Sequence, residues 1–243
     1  PSLEREWKSE MERRWGIPFH ALYTGSQYVT DSCVVSYAPS ASIFATCQLQ
    51  PPGGGRGSLV IGVADGQAPL IETEAKAVAR TLPDAHLFVG AEATEQVLRT
   101  RGRDARIVHI ASHGYFRPHN PMFSGIKLGD TYLNVYDLYR LRMRADLVTL
   151  SGCATGASVA AAGDELLGIT RGLFCAGAKT LLLSLWNVHD QSTESFMTHL
   201  YQRLAEGSAP VMALRDTMLH LRGEYPHPFH WAPFVVTGKS GHA

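Results

Sequence analysis

Residues 106–114 read RIVHIASHG and residues 146–156 read DLVTLSGCATG. Each opens with a short run rich in Val, Ile and Leu and breaks at a Ser with a Gly one or two residues on. Such runs, with no polar alternation, are the signature of a strand buried on both faces. Similar runs stand at 59–64 (LVIGVA), 86–89 (HLFV) and 179–185 (KTLLLSL), with a last candidate strand at 234–237. Between them lie helical stretches at 71–82, 94–101, 135–141, 164–175, 192–205 and 210–221. Thr94 opens the second of these as its N-cap. Strand alternating with helix predicts an α/β fold, a mostly parallel sheet with helices on both faces.

Outward from this centre the pattern weakens. Residues 3–15 carry Leu3, Trp7, Met11 and Trp15 on a single helical stripe, stopped by Gly16 and Pro18. Segments 21–23 and 28–31 flank Thr24-Gly25-Ser26-Gln27 and read as a hairpin, and 33–37 is a further apolar stretch. Residues 48–58 (QLQPPGGGRGS) form a Pro/Gly loop. The expected organisation is a connector helix over 1–16, one domain over 17–238 and a tail over 239–243.

A chain of 243 residues with 45% hydrophobic and 18% charged side chains can bury a substantial core, which excludes a disordered protein. Twenty-two basic residues balance twenty-two acidic ones, so nothing in the overall field suits direct binding of nucleic acid. No run approaches 18 apolar residues, so no membrane partner is expected. The charged first fifteen residues lack an apolar signal core, and Pro1 is not an initiator Met; a piece of a longer polypeptide is expected. Cys33, Cys47, Cys153 and Cys175 form no CxxC, which suits a reducing, cytoplasmic setting. At least three of the four should be buried, Cys175 in the core beside Phe174.

In open α/β sheets ligands sit beyond the carboxyl ends of the strands. After RIVHIA comes Ser112-His113-Gly114; after DLVTL comes Ser151-Gly152-Cys153; after KTLLLSL comes Trp186-Asn187. A His and a Cys therefore fall at one sheet edge. Thiolate is the nucleophilic form of Cys, and a nearby imidazole can generate it at neutral pH. Gly114 and Gly152 would let a substrate backbone approach and free N–H groups to hold an oxyanion. The plain alternative is a small strand-end residue and a loop His. Other motifs fit less well. Gly152-Cys153-Ala154-Thr155-Gly156 differs from the hydrolase elbow G-x-S-x-G, and the glycines at 53–57 precede their strand instead of following it. His109 and His113 lack the Glu of a zinc-protease helix and have no carboxylate beside them in sequence, so neither metal nor cofactor is expected.

Taken together, 107–116 (IVHIASHGYF) with Asn120-Pro121 and Ser124, and 145–156 (ADLVTLSGCATG), resemble a CHAT domain, a caspase-like peptidase family often found with TPR repeats. Gly163-Asp164-Glu165-Leu166, Gly168, 174–178 (FCAGA), 184–190 (SLWNVHD), His227-Pro228 and Trp231-Ala232-Pro233-Phe234 extend the match. Upstream, Pro18-Phe19, 35–40 (VSYAPS), Glu74 and Ala93-Thr94 also fit, so the resemblance covers about 17–238. It implies a caspase-like sheet, a catalytic dyad of His113 and Cys153, and an oxyanion held by the backbone N–H groups of Gly114 and Cys153. It also implies a protein or peptide substrate and an upstream TPR-type partner or activator. His189 departs from the family, which usually carries an acid there.

The resemblance further implies that Ser151, Asp164, Trp186, Asn187 and Asp190 are candidates for the substrate pocket. Metacaspase-like relatives place an acid two residues before their Cys; here that position is the neutral Ser151. Asp164 and Asp190 serve equally as helix caps. A cationic substrate side chain needs a buried acid to offset its desolvation, so a neutral residue before the scissile bond is expected. No third residue beside the dyad is evident; a backbone carbonyl is one way to orient His113. The substrate strand is expected to pair near Ser184–Trp186. The small uncharged stretch 154–163 is expected to be a control loop, mobile or held by a partner, the plain alternative being a simple connecting loop. The rival reading is a catalytically silent caspase-like scaffold. A thiol transferase would need a cofactor pocket, and no phosphate-binding loop is present.

Overall fold

The computed structural model describes residues 23–24, 27–66, 68–115, 120–152, 163–186, 188 and 190–239. The expected connector helix therefore lies outside the described residues. In chain order, β1 (Tyr23–Thr24) and β2 (Gln27–Tyr28) pair antiparallel, with Tyr23 opposite Tyr28. The chain then turns into a short helix, α1 (Val29–Ser32), and not the strand expected there; Asp31 closes the turn by accepting from the Tyr28 N–H at 2.8 Å. A second helix, α2 (Ala41–Leu49), escaped notice because it lacks an apolar stripe; Ser40 caps it by accepting from the Ile43 N–H at 3.2 Å.

The central elements follow the sequence pattern closely. They are β3 (Ser58–Val63), α3 (Ile71–Thr81), β4 (Ala85–Val89), α4 (Glu95–Arg101) and β5 (Ile107–Ser112). Thr94 caps α4, accepting from Val97 N–H at 3.2 Å. Residues 113–146 then form an insertion of which the sequence pattern showed only the helix beginning at Val135. It holds β6 (Gly114–Tyr115), β7 (Gly125–Lys127), β8 (Tyr132–Asn134) and α5 (Val135–Leu138), and β6, β7 and β8 make a separate antiparallel sheet. Strands of two or three residues are too short to show a period. The chain continues through β9 (Leu147–Ser151), α6 (Gly163–Ala176), β10 (Thr180–Ser184), α7 (Asp190–Ala205), α8 (Pro210–Glu224), α9 (Pro228–Trp231) and β11 (Phe234–Gly238).

The main sheet has the order β11-β10-β9-β5-β3-β4, parallel throughout except for β11. Alternate side chains feed two cores. Val108, Ile110, Val148, Leu150, Leu181 and Leu183 face α6, while Ile107, Leu147 and Leu182 face α7 and α8. Each such fully buried side chain contributes about 1.5–3 kcal/mol. Beyond β11, Tyr37 adds one rung: its N–H donates to Val236 O at 2.8 Å.

The cysteine expectation fails. Cys47 is buried, but Cys33 and Cys175 are exposed. Among the described side chains of α6 the buried positions are Ile169, Thr170, Gly172, Leu173 and Ala176. Cys175 shares the opposite face with the exposed Arg171, four residues back.

Candidate active site

β5 and β9 lie side by side in parallel register, with Ala111 opposite Ser151. The next residues, Ser112 and Gly152, press together backbone to backbone. A Cβ added at Gly152 would sit 1.7 Å from Ser112 O. Gly152 is thus needed for the approach of the neighbouring strand, not of a substrate as the sequence suggested. Ser184 in β10 donates to Gly152 O at 3.0 Å, and Ser112 donates to Lys127 O at 2.5 Å. The two strand ends that precede His113 and Cys153 are therefore locked to each other. Cys153, the expected control loop after it, Asn187 and His189 lie outside the described residues. Gly152→Ala is expected to cost about 2–3 kcal/mol, because the backbones must part and neither can yield like a side chain. Urea unfolding of the variant measures this; an unchanged midpoint would rule out the close approach.

His113 is half-buried and does have a side-chain partner. Its Nε2 lies 3.0 Å from Asp65 Oδ1, and Lys127 Nζ lies 3.3 Å from Asp65 Oδ2. A carboxylate only accepts, so Nε2 carries the proton and Nδ1 is left as the basic atom. Asp65 was missed, yet it stands just past β3, at the same carboxyl edge searched after the other strands. Lys127 N–H donates to His113 O at 2.9 Å. Because 113 and 127 are bonded, Gly114 opposite Ile126 is a non-bonded position. Its N–H consequently points away from β7.

Ser151 does not line an open pocket. It is buried, with its hydroxyl beside the carboxyl of Glu74 from α3. Glu74 Oε1 also lies 3.2 Å from His109 Nε2, but the angles do not make hydrogen bonds at either atom. On the other side of the ring, His109 Nδ1 is 3.1 Å from Tyr201 Oη, which donates to Thr149 Oγ1 at 2.9 Å. With its proton committed to Thr149, Tyr201 accepts from Nδ1, which leaves Nε2 as the acceptor facing Glu74. Burial pushes the Glu74 carboxyl up, against the opposing pull of His109. The group is a closed polar cluster beneath the sheet edge. His109 thus has a carboxylate neighbour after all, supplied by another element, but the described residues contain no group of three metal-ligating side chains.

Asp190 opens α7, and its Oδ2 accepts from Leu70 N–H at 2.9 Å, at the start of α3. Its carboxylate is committed to backbone. Asp164 lies in the first turn of α6. Trp186 is buried, donating from Nε1 to Phe229 O at 3.1 Å. It also helps line an apolar cleft, with Leu185, Tyr28, Trp231 and Phe234. The edge expected to receive a substrate strand near Ser184–Trp186 is occupied. Ser184 pairs with Phe234, and Leu185 N–H donates to Pro233 O at 2.7 Å. Nothing local to Phe234–Gly238 announces that the last strand returns antiparallel onto β10.

No helix among the described residues is long and apolar enough to cross a membrane. A family model described as "CHAT domain" matches residues 11–239. Tetratricopeptide repeat protein 28 is 30% identical in mouse and 28% in human, over 114 residues in each case. That alignment takes in 46% of this chain but only 5% of those relatives. The fold matches the Saccharomyces cerevisiae separase–securin complex with TM-score 0.62 at 17% identity, over 92% of this chain and 14% of that one. It matches the Arg-specific cysteine proteinase gingipain R with TM-score 0.58 at 12% identity, over 75% of this chain and 46% of that one.

Proposed function

From the premise that the chain belongs to the CHAT domain family, we propose that it is a cysteine endopeptidase acting through His113 and Cys153. The observation that carries this reading is the Ser112–Gly152 contact. The residues immediately before the two reactive side chains touch, and Asp65 holds the imidazole proton on Nε2. In the proposed cycle His113 Nδ1 takes the Cys153 thiol proton and Sγ attacks the scissile carbonyl. The N–H groups of Gly114 and Cys153 receive the oxyanion. His113 returns the proton to the departing amine as the C–N bond breaks, leaving a thioester. Water, deprotonated by His113, attacks the thioester and frees the acid and the thiol. Asp65 acts through His113 as a positioning residue.

The pocket for the side chain before the cut is proposed to favour a neutral residue. Asp190 and Asp65 already have partners, so neither carboxylate is left to pair with a cationic side chain. TPR repeats are the proposed upstream neighbour, supported by the relatives named above.

A peptide carrying a thiol-reactive group, tested with mass mapping, separates peptidase from scaffold. Cys33 and Cys175 are exposed and label in either case, so the test is run with both changed to Ser. Labelling of Cys153 that is lost in His113→Ala supports an enzyme; labelling independent of His113 overturns it. Asp65→Asn is expected to lower kcat by about 10²-fold with little change in KM, a split that a merely structural loss would not produce. If instead a library scan shows cleavage after Arg or Lys that Asp65→Asn abolishes, Asp65 reads the substrate, and the neutral-pocket proposal falls.

A further inference from the structure

Among the described residues, six of the twelve large exposed hydrophobic side chains fall between positions 115 and 139. They are Tyr115, Met122, Phe123, Tyr132, Tyr136 and Tyr139, all in the insertion that follows His113. The pairing of the small sheet explains where the first of them point. Tyr115 is opposite Gly125, and Lys127 is opposite Tyr132. Alternation puts Ile126 and Leu133 underneath, where both are buried, and Tyr115, Lys127 and Tyr132 on the upper face. The Tyr115 and Tyr132 rings meet across that face with centroids 5.5 Å apart. Gly125 admits the close approach of β8, since a Cβ there would sit 2.2 Å from Leu133 O. Met122 and Phe123 are exposed in the turn just before β7.

This face is continuous with the proposed site. Lys127, on the same face as the two tyrosines, reaches Asp65 and thereby His113. Tyr115 is two residues from His113, about 7 Å along an extended chain. The charge on Lys127 is matched by Asp65, so the face offers aromatic and thioether surface without an uncompensated ion. Such a composition is that of a protein-binding patch.

We infer that this face, built on Tyr115 and Tyr132 with the exposed Met122 and Phe123 in the turn leading into it, docks the segment of polypeptide substrate that follows the scissile bond. The inference rests on the peptidase reading above. A general acid must reach the leaving amine, so the new amino terminus forms over His113. The residues after it run onto whatever adjoins His113 on the side of Gly114, which is the small sheet. The face therefore selects an apolar or aromatic residue within about four positions after the cut. Specificity in this chain is read after the scissile bond as well as before it.

Two substrates with the same residues before the cut test this. One carries a fluorescent amine as its leaving group and nothing further; the other continues for six residues. In the long substrate, Leu, Phe or Tyr after the cut is expected to exceed Gly or Asp by about tenfold in kcat/KM, mostly through KM. The double variant Tyr115→Ala/Tyr132→Ala, and separately Phe123→Ser, should lose that preference while cleaving the short substrate at the wild-type rate. Equal cleavage of the long substrate by wild type and variants would overturn the docking face and leave the peptidase intact. Equal losses on both substrates would also overturn it, by showing a merely structural role. A wild-type protein that cleaves neither substrate overturns both readings.

Discussion

Cys153→Ala and His113→Ala are each expected to lower peptide cleavage by about 10³-fold or more, with the fold intact. Removing the thiol leaves no nucleophile. Removing the imidazole leaves a thiol that is a few per cent ionised at neutral pH and an amine with no proton donor. Because the two act as one unit, the double variant should be no worse than either alone. The fold should tolerate both changes. His113 is only half-buried, and Asp65 keeps Lys127 as a partner when the imidazole is gone. Initial rates on a library-selected peptide, with urea midpoints alongside, provide the measurement. A single variant keeping a tenth of the wild-type rate would rule out the dyad.

His109→Ala should produce the largest loss of stability, about 3–5 kcal/mol. The imidazole is fully buried between Glu74 and Tyr201. Without it, the carboxyl and the phenol both face a cavity, and neither finds water. Glu74 adds a pH dependence of known sign. Burial raises its carboxyl above the ordinary 4.5, so the folded chain keeps a proton that the unfolded chain has released in the window above that value. Rising pH through this window therefore favours unfolding of the wild type. Glu74→Gln has no such proton to lose, and its amide can donate to His109 Nε2. Its stability relative to wild type should rise as pH increases from 4.5 and level off above the folded-state pKa of Glu74. Urea titrations at several pH values give the comparison; a parallel pair of curves would mean that Glu74 is ionised in the fold.

What could be read beforehand divides along physical lines. The strands of the main sheet announced themselves because burial on both faces leaves Val, Ile and Leu with no alternative role, as at Val148 and Leu181. His113 was found because it ends such a run. Asp65 ends another, LVIGVA, and went unread because only three of the strand ends were searched for chemistry. Glu74 and His109 are 35 residues apart, and nothing local to either records the other. The small sheet was invisible for a different reason: Gly125, Ile126 and Lys127 are too few to establish alternation. Cys175 was misplaced by reading its neighbour Phe174, when the stripe through Ile169, Leu173 and Ala176 sets the buried side of its helix.

The rung between Tyr37 and Thr237 has a consequence for how the chain is made. A ribosome releases residue 37 long before residue 237, and β10 cannot gain its antiparallel neighbour until β11 emerges. Until then Leu183 and Ser184 have one bare edge, and the 28–37 segment has no strand to lean on. Contacts this distant along the chain close slowly, because the intervening polypeptide must first be organised. The half-made sheet is open to pairing with another nascent copy during that interval. Synthesis arrested before Phe234 should accordingly yield an aggregating intermediate that becomes soluble once the final five-residue strand is supplied.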